Sequence, residues 1–219
     1  MRPDLSELLY SHARKFGATI AGGEVELFDR YLALIQEYNK KLSLTAIEDE
    51  EGIVVKHFID SLAAASFVLN GERALDIGSG MGCPGLALKI VRPHLKLVLI
   101  ESNRKKAAFI GQAIRALKLT DARAIAKRAE DKDYQFENAG QFEVVMARAV
   151  GKLDLLAELA APYLKIGGRL IAYKGAKAKE ELEEFEATAK NDTFAHEVSF
   201  EYSLPLESGP RFLLVLKKN

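Results

Sequence analysis

Cysteine is almost missing from this chain: Cys83 is the only one in 219 residues, so no disulfide can close within it. Four scattered histidines beside a single thiol do not make a zinc-ligand set, and no metal is expected. No apolar run approaches the roughly 18 residues that cross a bilayer. The opening segment, M-R-P-D-L-S-E-L-L-Y, reads as an acid-bearing amphipathic helix, not a secretory signal. A cytoplasmic protein that does not enter a membrane is expected. Net charge is also lacking, with 31 basic and 31 acidic residues, which on whole-chain grounds argues against nucleic acid. The distribution says otherwise. Residues 1–70 and 178–219 are each net −4, whereas residues 71–177 carry 19 basic and 11 acidic side chains, net +8. A basic middle between acidic ends can present a local phosphate-binding face that the overall balance hides.

What is present is concentrated in Ala74–Gly85, A-L-D-I-G-S-G-M-G-C-P-G. A short apolar run ends in Asp76, glycines follow at 78, 80 and 82, and Pro84 suits the first turn of a helix. This is a strand entering a glycine turn at a helix N-terminus, where backbone can approach a ligand closely. Read from Gly80, Gly82 and Gly85, the turn fits the dinucleotide fingerprint G-x-G-x-x-G, with Glu101 placed for a ribose. Read from Asp76, it fits D-x-G-x-G-x-G, the turn of S-adenosylmethionine-dependent methyltransferases. A carboxylate beside the turn repels a pyrophosphate and attracts a sulfonium and an ammonium. The methyltransferase reading is therefore preferred.

The rest of the chain separates into two regions at about residue 70. Residues 3–16 and 24–41 have helical spacing, and the acidic run Glu48–Glu51 suits the first turn of a third helix ending near Leu69. These helices form an N-terminal cap over 1–70. From Arg73, strands alternate with helices, the pattern of a parallel sheet covered on both faces. Strands are predicted at 73–77, 95–101, 122–127, 142–148, 168–174, 194–203 and 211–217. Helices are predicted at 84–92, 103–118, 152–164 and 177–190. The last two strands, joined by a Pro/Gly-bearing turn, should pair antiparallel. The expected fold is α/β, a Rossmann-like class I methyltransferase with a mostly parallel seven-stranded sheet, a terminal antiparallel hairpin and the helical extension, residues 71–219 forming one compact unit.

In open α/β sheets, ligands sit at the carboxyl ends of strands. Asp76, Gly78, Gly80 and Gly82 come from the first strand end, with Cys83 just beyond as a packing residue. Glu101 ends the second and can accept both ribose hydroxyls; Ser102 and Asn103 follow as helix caps. Ala129 and Glu130 lie after the third, where a carboxylate accepts from an adenine amine and a backbone N–H meets a ring nitrogen. Arg148 ends the fourth, where the methyl group must meet its acceptor.

Beyond these residues the chain carries Y-N-K-K-L-S-L-T at Tyr38–Thr45, H-F-I-D-S at His57–Ser61, R-A-E at Arg128–Glu130 and A-R-A at Ala147–Ala149. K-G at Lys174-Gly175 and P-R-F at Pro210–Phe212 follow. With these motifs the chain resembles the bacterial ribosomal small-subunit methyltransferase G family (glucose-inhibited division protein B) over nearly its whole length. It departs from the family pattern at Ser43, usually Asn, and at Ala176, often Gln. The resemblance implies methyl transfer from S-adenosylmethionine, leaving S-adenosylhomocysteine, to N7 of a guanine in a loop of 16S ribosomal RNA, within the small ribosomal subunit. It further implies cofactor contacts from Gly78, Cys83, Ala129, Glu130 and Arg148.

Guanine N7 offers a lone pair and carries no proton, so no general base is required and catalysis reduces to positioning. Arg148 is expected to orient the cofactor carboxylate, the alternative being donation to guanine O6. Arg128, Lys174, Lys177 and Arg211 are expected to hold RNA phosphates, with Lys152 a weaker candidate. His57 reads as a structural histidine, and no apolar stripe calls for an oligomer, so a monomer is expected. The rival readings are a methyltransferase for another RNA, a small molecule or a protein, an NAD-type oxidoreductase, and a non-catalytic binding protein.

Overall fold

The computed structural model describes residues 1–188 and 192–219. Strands β1 (Arg73–Ile77), β2 (Lys96–Ile100), β3 (Ala122–Ile125), β4 (Phe142–Arg148), β5 (Leu164–Lys174), β6 (Phe194–Tyr202) and β7 (Arg211–Lys218) form one sheet in the order β3-β2-β1-β4-β5-β7-β6. β1 runs parallel to β2 and β4, as do β2 with β3 and β4 with β5. The expected final hairpin is present, and β7 lies antiparallel between β5 and β6. Strand order reverses between β1 and β4, which opens a crevice at their carboxyl ends.

Alternation along the strands divides the core in two. Leu97, Leu99, Val144, Met146 and Ile171 face one apolar layer, and their neighbours Val98, Ile100, Val145, Leu170 and Ala172 face the other. The first layer also contains the N-terminal helices α1 (Pro3–Lys15) and α2 (Gly22–Leu42), together with α5 (Gly85–Val91) and α6 (Arg104–Ala116). Leu5, Phe28, Tyr31 and Ile35 are buried in the same cluster as the sheet side chains, so residues 1–70 and the sheet share one core on that side. The second layer holds α8 (Leu153–Ala160) and α9 (Ala178–Glu186). The helix expected over 177–190 ends at Glu186, and positions 189–190 lie outside the described residues.

Other differences have local causes. The third helix does not run unbroken to Leu69. It consists of α3 (Glu50–Ile53), a π-helical turn (Val54–Ile59), α4 (Asp60–Leu62) and a 3₁₀ turn (Ala65–Phe67). Asp49 caps it by accepting from the Gly52 N–H at 2.6 Å. A six-residue helix α7 (Lys132–Glu137), capped by Asp131, is too short to leave a periodic signal. β5 begins at Leu164, earlier than expected, and a register shift between Phe142 and Val144 absorbs the difference. Ser43 closes α2 in the left-handed conformation, φ 47°, where Asn is favoured among residues with side chains.

Candidate active site

Two clefts meet at Gly78 above the carboxyl ends of the strands. The larger, about 500 Å³, is bounded by the glycine turn, Glu101, Arg148 and the N-terminal residues Thr45, Lys56 and His57. The smaller, about 130 Å³, is bounded by Ile77, Ile100, Ser102, Arg128, Ala129 and Glu130.

The turn is held from inside. Tyr31 of α2 donates to the Met81 carbonyl at 2.7 Å, so the first helical layer fixes the loop. Gly82 donates to the Ser79 carbonyl at 2.7 Å. At Gly80, φ is +59° and an added Cβ would find only the Gly78 carbonyl, at 4.0 Å, which leaves a cradle open for a ligand. Glu101, 8% exposed, binds the turn to the next helix: Oε2 accepts from the Gly80 N–H at 2.8 Å and Oε1 from the Asn103 N–H at 2.8 Å. Each oxygen keeps a lone pair for a ribose hydroxyl. Asn103 caps α6 by accepting from Lys105 and Lys106.

Asp76 is the first correction. Its neighbours Leu75 and Ile77 face the second layer, so the two-residue alternation turns Asp76 towards α5. There it is completely buried and accepts from the Gly85 N–H at 2.9 Å. Burial lifts its carboxyl to about 7, and Oδ1 has no hydrogen-bond partner. Asp76 lines neither cleft, whereas Glu101 and Asp60 both border the larger one. Gly82 also faces inward, where a Cβ would meet Leu86 and the Tyr31 hydroxyl. Gly78, Gly80, Cys83, Glu101 and Arg148 do reach the larger cleft, and Gly78, Ser102, Ala129 and Glu130 the smaller.

Arg148 is committed on one side. It donates to Asp60 Oδ2 at 2.9 Å, to the Lys56 carbonyl at 3.1 Å and to His57 Nδ1 at 3.1 Å. Asp60 is 2% exposed and also accepts from the Tyr202 hydroxyl at 2.8 Å, with Arg211 3.7 Å from the same oxygen. His57 continues the chain to Thr45 Oγ1 at 2.9 Å, and the Asn39 side-chain amide brackets the Thr45 backbone, Nδ2 donating to its carbonyl and Oδ1 accepting from its N–H, both at 2.9 Å. Burial first, then Arg148, lowers the His57 imidazole to about 3, so it stays neutral. Burial raises the Cys83 thiol. Sequence reasoning gave His57 and Asp60 no firm role, because only folding brings their motif onto Arg148.

Among the expected phosphate contacts, Arg128 and Lys177 are exposed, and Arg211 borders the larger cleft. Lys174 is the second correction. Its ammonium, 6% exposed, donates to Glu181 Oε2 and the Gly151 carbonyl, both at 2.6 Å, and ties β5 to α9. Lys152 is exposed and pairs with Glu184 at 3.2 Å. Lys106 at the larger cleft was not foreseen; a basic residue on the first turn of a helix has no distinguishing local signal. No helix among the described residues is long and apolar enough to cross a membrane, and no group of three or more metal-ligating side chains is found among them.

A seven-stranded sheet with β7 inserted antiparallel, and a glycine cradle after β1 held by the carboxylate that follows β2, define a class I methyltransferase. Solved structures agree on the fold alone. M. jannaschii TYW2 in complex with AdoMet superposes with TM-score 0.57 at 17% identity, over 79% of this chain and 78% of that one. An rRNA methylase from Streptococcus thermophilus gives TM-score 0.50 at 19% identity, over 70% and 91%. Residues 24–203 match the family model described as rRNA small subunit methyltransferase G, and the chain belongs to that family. It is 39% identical over 205 residues to the ribosomal RNA small subunit methyltransferase G of Carboxydothermus hydrogenoformans, covering 93% of this chain and 87% of that protein. For the protein of the same name from Roseiflexus sp., identity is 42% over 177 residues, 80% and 76% of the two chains.

Proposed function

We propose that this protein methylates N7 of a guanine in 16S ribosomal RNA of the small ribosomal subunit, with S-adenosylmethionine as methyl donor, and that it works as a cytoplasmic monomer. The donor supplies an electrophilic methyl on a sulfonium. The residues fit such a molecule: the open cradle at Gly80 admits backbone approach, the free lone pairs of Glu101 suit a ribose diol, and the small cleft beside Ala129 and Glu130 suits a flat base. The larger cleft then takes the amino-acid end and the guanine.

One observation carries the choice of acceptor. The groups around Arg148 that could take a proton are all committed. Asp60 is held by Arg148 and Tyr202, both His57 nitrogens are engaged, and the Cys83 thiol is pushed up by burial. An exocyclic amine or a ring carbon must lose a proton during methylation; guanine N7 need not. The chain's contribution is therefore to exclude water and to hold the base in line. Arg211, Lys56 and Lys106 at the cleft, with Arg128 and Lys177, give the RNA phosphates a cationic rim whose affinity should fall with salt.

The test is to map N7-methylguanine in ribosomal RNA from a strain lacking the gene and from its complemented parent. Loss of one 16S position, restored on complementation, is expected; an unchanged map refutes the reading. Calorimetry with S-adenosylmethionine and with NAD supports it if only the former binds.

A further inference from the structure

Thr45 sits on the wall of the larger cleft, in the loop between α2 and α3. Its hydroxyl oxygen receives two donors. The Ile47 N–H donates to it at 3.1 Å, and His57 Nε2 lies 2.9 Å away. The direction of the second contact is fixed by what stands on the other side of the imidazole. Arg148 can only donate, so His57 Nδ1 must accept, and the ring proton of the neutral imidazole is on Nε2. His57 therefore donates to Thr45. With both lone pairs engaged, the Thr45 hydroxyl can act only as a donor. Among the described residues no protein acceptor takes its proton, which is left for a ligand in the cleft.

The Hoogsteen edge of guanine presents two acceptors, N7 and O6, where adenine presents N7 and an amine donor. A site that methylates N7 must recognise guanine without occupying the attacking lone pair. An arginine bidentate to O6 and N7, the commonest guanine contact, would block the reaction. A single hydroxyl that cannot accept fits O6 alone and opposes the adenine amine. We propose that the Thr45 hydroxyl donates to O6 of the guanine and selects guanine over adenine, an inference that rests on the RNA-methylation reading above. His57 and Arg148 are positioning residues in this arrangement: Arg148 sets the tautomer, and His57 orients the hydroxyl.

The test compares wild type, Thr45→Val and Thr45→Ser on small ribosomal subunits purified from a strain lacking the enzyme, with cofactor affinity measured separately by calorimetry with S-adenosylhomocysteine. Thr45→Val should lower kcat/KM for subunits by about fivefold to tenfold, the effect of one lost neutral hydrogen bond, with cofactor affinity unchanged. Thr45→Ser, which keeps the hydroxyl, should stay within about twofold of wild type. If the Val variant does not fold, the Ser variant decides: full loss of subunit methylation with the hydroxyl retained overturns the proposal. Unchanged kcat/KM in Thr45→Val overturns it alone, as does a parallel loss of cofactor affinity. Absence of transfer by wild type removes the functional reading and this inference together.

Discussion

Replacing Asp76 with Asn separates an internal cap from a ligand contact. In the fold, the Asp76 carboxyl is completely buried, receives one hydrogen bond from Gly85 and leaves its second oxygen without a partner. Burial moves its ionisation from an ordinary 3.8 to about 7. Each tenfold change in proton affinity corresponds to about 1.4 kcal/mol, so ionising the folded chain costs about 4 kcal/mol relative to the unfolded one. The sign follows from the raised value. Below about pH 4 both states hold the proton and nothing is lost. As the pH rises, the unfolded chain releases its proton first, and stability declines until the folded carboxyl ionises near 7. Asp76→Asn keeps the acceptor for Gly85 and carries no charge at any pH. Its advantage over wild type should grow by about 2–3 kcal/mol between about pH 5 and pH 8, then level off. Urea unfolding of the ligand-free protein across that range reads the difference directly. Parallel pH profiles for the two proteins would refute the buried-acid account, and a large loss of cofactor affinity in Asp76→Asn would return Asp76 to the ligand site.

Three further outcomes are expected. Lys174→Met removes the ammonium's hydrogen bonds to the partly exposed Glu181 and to the Gly151 carbonyl and should lower stability by roughly 2 kcal/mol, or about 4–8 °C in Tm for a chain of this size; an unchanged melting curve would mean the ammonium is not structural. Gly80→Ala places a methyl in the open cradle and should weaken S-adenosylmethionine binding by roughly tenfold or more, equivalent to about 1.4 kcal/mol, while the far-ultraviolet circular dichroism stays native; wild-type affinity by calorimetry would remove the cradle from the site. Ser43→Gly, at the left-handed end of α2, should raise stability by about 0.5–1 kcal/mol without altering methyl transfer, and a destabilised variant would contradict the assigned conformation.

The sheet was legible because its signals are local. β1 and β4 begin and end where predicted, and the change at Arg73 from consecutive helices to strands alternating with helices marks the first strand. Gly78, Gly80 and Glu101 could be placed because a glycine turn and an acid after the next strand stand at the same end of a parallel sheet. The π-helical turn and the short α7 were not legible, since neither has enough residues to show a period.

By itself the sequence determined the strands and the longer helices, the sheet with its antiparallel end, and the end of the sheet where a ligand must sit, because each follows from spacing over a few residues. Only the tertiary structure decided which charged groups face that ligand. Asp76 and Glu101 are both acids at strand ends; pleat direction buries the first under α5 and leaves the second at the cleft. Lys174 and Arg211 are both cations late in the chain; Glu181 holds the first inside, and the second reaches the cleft beside Asp60. The polar chain from Asn39 through Thr45, His57 and Arg148 to Asp60 and Tyr202 joins residues up to 142 positions apart, a separation no local pattern encodes.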